Sequence, residues 1–234
     1  MSVSFKSALA LAVTLAFSGV ASADALTENF DNGVPTGWTV NNLSQPVGVT
    51  DWFQGNPAVF SAHQGAADSY LGANFNSGSG TADISTWLIL PTSTYHNGDT
   101  LSFYTRTADF SLWPDNLEVR FSNVGGTNVG NTSSSVGTFS KLLLSVNPGQ
   151  DLFGYPEEWT KYSVTLSGLS GATSGAFAFR YVVQDGGPAG DNSNFIGIDT
   201  LQITAVPEPS TYLMLGAGLG LVGLMRGRKK QAAA

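Results

Sequence analysis

The chain has 234 residues, a formal net charge of −7 and 28 glycines, and only 12% of its residues are charged. It contains no cysteine, which excludes a disulfide framework and any thiolate metal site. Sixteen acidic but only five basic residues lie between Asp24 and Val206, so that stretch has no basic patch for a phosphate backbone and nucleic acid is excluded as a partner.

Residues 1–23 have the three parts of a secretory signal peptide, which forms a helix. Lys6 supplies the charged start, Ala8 to Phe17 is an apolar run broken only by Thr14, and Ala21-Ser22-Ala23 is a cleavage site of the A-x-A type. Ala21 and Ala23 are the small residues of that site, so the mature chain starts at Asp24. The alternative, a membrane helix, requires a longer apolar run than this one.

Residues 24–205 read as one domain. Period-2 alternation dominates it and no long amphipathic helical stretch appears. Leu26, Glu28 and Phe30 share one face of the first strand. Further strands are predicted at 84–90, 100–106, 117–121, 139–146, 162–166, 177–183 and 195–203. Turn signals separate them at Asn97-Gly98-Asp99, Gly125-Gly126, Asn147-Pro148-Gly149 and Asp185-Gly186-Gly187-Pro188. The Gly/Asn/Ser stretch 123–137 reads as a long exposed loop. Many short strands in a chain of this size predict an all-β fold, a jelly-roll β-sandwich of antiparallel strands.

Residues 206–230 form a tail in three parts. Val206-Pro207-Glu208-Pro209 opens it, Tyr212 to Met225 is uncharged and apolar or small, and Arg226, Arg228, Lys229 and Lys230 close it. The apolar part, read as a hydrophobic helix, is short of the roughly 20 residues that cross a bilayer alone. The basic cluster stays cytoplasmic by the positive-inside rule, which makes the tail an inner-membrane anchor.

That order resembles the PEP-CTERM sorting tail of Gram-negative bacteria. The resemblance implies an exosortase-type membrane protease as partner, with the protein held transiently at the inner membrane and then displayed at the cell surface or released. An ordinary C-terminal anchor is the alternative, and the two differ in whether the tail is removed.

Several strings in the body carry a second resemblance. They are Glu28-Asn29-Phe30-Asp31-Asn32-Gly33, Pro35-Thr36-Gly37-Trp38, Trp52-Phe53-Gln54-Gly55, Ser85-Thr86-Trp87-Leu88-Ile89-Leu90-Pro91 and Asn192-Ser193-Asn194-Phe195-Ile196-Gly197-Ile198-Asp199. In this order they resemble the choice-of-anchor J domain, a relative of cleaved-adhesin and MAM-like jelly rolls, over roughly residues 26–204. That family implies a fold and a location more than an activity.

A metal site is the first candidate chemistry. Alternation puts Asp199 on the face of Leu201 and Ile203, as it puts Glu28 on the face of Leu26 and Phe30. If those are core faces, both carboxylates point inward, and a buried unpaired carboxylate is costly. Side by side on the first and last strands, Glu28 and Asp199 would share one hard cation, with Asp31 as a further ligand. Calcium takes 6–8 oxygens in irregular geometry, and the resemblance to jelly-roll adhesins implies structural calcium here. The competing reading pairs Glu28 with Arg180 or Arg106, or leaves it in solvent.

The second candidate is a glycan platform. Trp38, Trp52, Phe53, Trp87, Trp113 and Trp159 offer rings for sugar stacking. Trp87 lies in an apolar run and reads as core, whereas Trp113 precedes Pro114 in a loop and is the ligand-binding candidate, with exopolysaccharide as partner. Arg106, Arg120 and Arg180 read as structural ion-pair formers, with Glu118 or Asp185 as acceptors. The chain has no G-x-S-x-G or H-E-x-x-H motif, and no carboxylate pair stands out from the rest. Sequence therefore favours a non-enzymatic surface or matrix protein, ahead of a carbohydrate-binding module and then a glycan-active enzyme.

Overall fold

The computed structural model describes residues 26–206, and there the alternating segments become strands of two antiparallel sheets. The first sheet runs β11 (Thr160–Thr165), β8 (Thr100–Thr107), β13 (Phe195–Thr204), β5 (Leu71–Asn74) and β4 (Phe53–Gln54), with β1 (Leu26–Glu28) also paired to β13. The second runs β10 (Lys141–Val146), β9 (Leu117–Ser122), β12 (Thr173–Gly186), β6 (Gly78–Ile89) and β2 (Thr39–Asn42), with β3 (Gln45–Val47) on β6 and β7 (Ser93–Tyr95) on β12.

The sheets form a β-sandwich because each presents an apolar face. Phe177, Phe179, Tyr181 and Val183 of β12 and Leu117, Val119 and Phe121 of β9 are fully buried against Leu101, Phe103, Ile196, Ile198 and Leu201 from the first sheet. Each such side chain contributes about 1.5–3 kcal/mol by leaving water. The first and last strands lie side by side as expected, with Glu28 opposite Leu201.

Part of the outer face of the second sheet is covered too. Val129 and Phe139 bury against Trp87, Ile89, Ala176 and Ala178, so the loop expected at 123–137 is mostly exposed but is pinned to the sheet at Val129. The segment has no strand, but its isolated apolar side chains lid the sheet, and a polar, Gly-rich composition conceals that role. On the outer face of the first sheet, Phe60, Tyr70 and Phe195 cluster with Trp159 beneath the segment between β4 and β5.

A bulge corrects the orientation expected for Asp199. Pairing of β13 with β8 shifts between Asp199 and Gln202, and Thr200 takes φ 49°. The extra residue changes the phase of the alternation. Ile196 and Ile198 therefore reach the main core before the bulge, and Leu201 and Ile203 reach it after. Asp199 faces away from that core, on the side where Gly197 meets the rings of Phe60, Tyr70 and Trp159.

Both terminal helices expected from the sequence lie outside the described residues, as do Ala21, Ala23, Pro207, Glu208, Pro209, Arg226, Arg228, Lys229 and Lys230. Val206 is described. Its N–H donates to Asp99 Oδ1 at 2.9 Å, while Asp99 Oδ2 accepts from the His96 N–H at 2.8 Å, so the residue before the Pro-Glu-Pro string is tied to the sandwich. Among the described residues no helix is long and apolar enough to cross a membrane.

Candidate functional site

Two loops at one end of the sandwich expose large apolar side chains. From the β8–β9 loop come Phe110, Leu112 and Trp113, at 84%, 59% and 50% exposure, and from the β10–β11 loop Leu152 and Phe153, at 52% and 60%. Trp113 and Phe153 border one shallow crevice together with Asp151 and Glu157. Solvent-facing apolar groups that share a crevice, as Trp113 and Phe153 do, mark interaction sites, whereas single ones do not.

Buried polar bonds hold both loops. The Asp115 carboxylate accepts from Thr107 Oγ1 at 2.7 Å, Tyr181 OH at 2.6 Å and the Asn194 N–H at 2.7 Å. Burial raises its pKa, and these three hydrogen bonds oppose the rise. Asn147 Nδ2 donates to the carbonyls of Asp115 and Asp151, both at 3.0 Å, and so ties one loop to the other. Ser111 Oγ donates to the Trp113 carbonyl at 2.9 Å and accepts from Asn194 Nδ2 at 2.9 Å. Phe110 and Phe153 adopt φ of 55° and 59°, a left-handed conformation that is an outlier for a bulky residue. Such strain costs about 1–3 kcal/mol per residue and persists where surrounding bonds over-determine it.

The charges around the platform are negative. Asp151 and Glu157 line the crevice, and Asp109 and Glu158 lie in the same two loops. The nearby cation, Arg106, has a side chain only 10% exposed, pairs with Asp109, lies 3.9 Å from Glu158 and stacks over Phe60. Flat apolar faces beside carboxylate acceptors suit a ligand that has both C–H faces and hydroxyl donors.

Trp113 is the most exposed tryptophan. Trp52 and Trp87 are buried, Trp38 packs on the main core, and Trp159 packs against Phe60 and Tyr70. Sequence reasoning did not single out Phe110, Leu112, Leu152 or Phe153. Their signal was apolar residues sitting in turn-rich segments without alternation.

The residues proposed for a metal come together only in part. Asp199 is fully buried and Oδ2 accepts from the Gln64 N–H at 3.0 Å. Burial pushes its pKa up to about 6, against backbone hydrogen bonds that lower it. Asp31 Oδ1 lies 2.9 Å from where a Cβ on Gly65 would stand, so it borders the same loop turn. Glu28 Oε1 instead accepts from the Phe30 N–H at 2.7 Å. Among the described residues no group of three or more His, Asp or Glu side chains is placed to hold a metal. Arg180 and Arg106 pair elsewhere: Glu118 holds Arg180 at 3.1 Å and Arg120 at 2.6 Å, and Asp185 takes no part in those ion pairs.

Comparison with known proteins places the two parts of the chain. Residues 205–230 match the PEP-CTERM protein-sorting motif. No curated protein matches the chain in sequence. Among solved structures, the body is similar to the K1 cleaved adhesin domain of Lys-gingipain from Porphyromonas gingivalis W83. Identity is 21% and the TM-score 0.55, over 79% of this chain and 99% of that one. The K3 domain of the same protein has 20% identity and a TM-score of 0.51, over 76% and 97%. The K2 domain has 20% and 0.51, over 77% and 99%. At these identities the likeness establishes the fold, a β-sandwich also used by adhesin domains.

Proposed function

We propose that this is a non-enzymatic surface protein that holds neutral extracellular polysaccharide on the Trp113 platform. The PEP-CTERM tail makes it an exported protein with a membrane-associated sorting signal. An exosortase-type protease at the inner membrane removes that tail, and the domain then remains with the exopolysaccharide outside the cell.

One observation carries the binding reading: five exposed apolar side chains on two loops fixed by the buried Asp115–Asn147 network. Pre-organised aromatic groups bind with little loss of conformational freedom. The Asp151 and Glu157 carboxylates at the crevice disfavour anionic lipid and acidic glycans and supply acceptors for sugar hydroxyls.

Native electrophoresis in gels containing the producer's exopolysaccharide, or a neutral β-glucan, xylan or mannan, tests this. The wild type is retarded in at least one gel, and Trp113→Ala loses about tenfold or more in retention, as expected for an aromatic anchor. Equal retardation of both proteins would sink the platform reading. Mass spectrometry of the C-terminus of the protein exported by its native host tests the sorting step. An intact Arg226–Ala234 end on the surface form argues against cleavage.

We also propose structural calcium at Asp199, with Asp31 and Glu28 drawn in on binding. What supports it is a buried carboxylate whose charged form is disfavoured, beside a loop turn that Asp31 borders. A divalent cation relieves that cost by favouring the ionised form.

A further inference from the structure

The outer face of the second sheet carries a separate groove of about 480 Å³, within the range of small-ligand sites. Its lining is polar: Asp83, Asn116, Gln150, Gln184 and Asn192 surround a floor that contains Arg180. Alternation explains the set. Arg180 and Gln184 share a face of β12, and that face meets Glu118 of β9 and the Ser85 side of β6.

The floor has unspent hydrogen-bonding capacity. The Arg180 side chain is only 6% exposed. Nε donates to Ser85 Oγ at 3.0 Å, one terminal nitrogen donates to Glu118 at 3.1 Å, and the other bonds the Ser133 carbonyl. A guanidinium has five N–H groups, so two remain without a partner among the described residues. Glu118 is shared between Arg180 and Arg120, and Asp83 stands exposed at the rim. The groove thus presents donors and acceptors together with nearly balanced charge, which matches sugar hydroxyls better than a carboxylate or phosphate.

One loop separates this groove from the Trp113 platform and lines both. Pro148, Gly149 and Gln150 form the groove wall, while Asp151 and Phe153 face the platform crevice. Gln150 is clamped: its Nε2 donates to the Gln184 carbonyl at 3.0 Å, and its Oε1 accepts from the Gln184 N–H at 2.8 Å. On the other loop, Asn116 lines the groove and Trp113 the platform, three residues apart.

We infer that the groove is a second subsite of the same glycan site, binding sugar units edge-on through their hydroxyls while the platform stacks a neighbouring unit of the same neutral chain. The inference rests on the platform reading for its ligand class. It predicts that affinity rises with chain length, because only a chain long enough to cross the loop engages both sites.

The test is affinity electrophoresis of the full chain with the same neutral polysaccharides, plus alginate as an anionic control and a soluble disaccharide as competitor. Asp83→Ala combined with Gln184→Ala removes exposed side chains only. It should weaken polymer retention about tenfold, as expected for loss of two hydrogen-bonding groups. Unchanged polymer retention in that variant, with Trp113→Ala impaired, overturns the groove and leaves the platform. The converse pattern overturns the platform and leaves the groove. Retention by alginate alone overturns the neutral-sugar assignment of both, and absence of retention for the wild type in every gel overturns both sites.

Discussion

Removing the Asp115 carboxylate tests whether the platform is held by its buried network. Asp115 is 1% exposed. In Asp115→Ala, Thr107 Oγ1 keeps an acceptor, the Phe195 carbonyl at 3.0 Å. The Tyr181 hydroxyl and the Asn194 N–H each lose theirs. An orphaned buried donor costs about 1–3 kcal/mol, so the two together cost about 2–6 kcal/mol, less whatever an entering water recovers. Against a domain stability of about 5–15 kcal/mol, that is a severe loss. At about 2–4 °C per kcal/mol for a domain of this size, the melting temperature should fall by roughly 10 °C. Circular dichroism melts measure it, and polysaccharide retention of the same variant should fall even well below its melting temperature, because the β8–β9 loop that carries Trp113 loses its anchor. Asp115→Asn keeps the shape and one acceptor and should lie between the two. A melting temperature within about 2 °C of wild type, with retention intact, would refute the network as the source of platform rigidity.

Stability should also depend on pH through Asp199. Its pKa is about 6 in the folded state against 3.8 for an unperturbed group, so the native state binds this proton more tightly than the unfolded chain. That advantage is present below 3.8 and is lost as pH rises through 6, a change of at most about 3 kcal/mol. Urea midpoints should therefore be higher at pH 5 than at pH 7 in the presence of a chelator, and Asp199→Asn should flatten the slope. The same slope in both proteins would show that other groups cause it. Calcium should raise the midpoint more at pH 7 than at pH 5, since cation and proton compete for one carboxylate, and no shift at either pH counts against the calcium proposal. Gly197→Ala should destabilise by about 1–3 kcal/mol, because its Cβ would stand 2.9 Å from the rings of Phe60, Tyr70 and Trp159. A thermal melt like that of wild type would show that those rings move apart readily.

Much of the sandwich was legible because burial of one sheet face imposes period 2. Phe177, Phe179, Tyr181 and Val183 read as a core face and form one. The seven longer expected strands are all present, whereas strands such as β3 and β4, of two or three residues, are too short to show a period. Asp199 shows where the method fails: a single residue at φ 49° reverses the phase, and nothing in the alternation of Asp199, Leu201 and Ile203 reveals it. The site was half legible for a related reason. Asn147-Pro148-Gly149 announces a turn, and Trp113 beside Pro114 announces a loop. Yet the amide of Asn147 bridges to a carbonyl 32 positions away in sequence, and local pattern does not encode a contact at that separation. Exposed aromatics resist sequence reading because burial is the default fate of an apolar residue. Phe110 and Phe153 escape it only because the buried Asp115, Ser111 and Asn147 side chains fix their loops with the rings outward. The platform is thus a consequence of polar groups in the interior, and the residues most worth mutating to find the ligand include ones that never touch it.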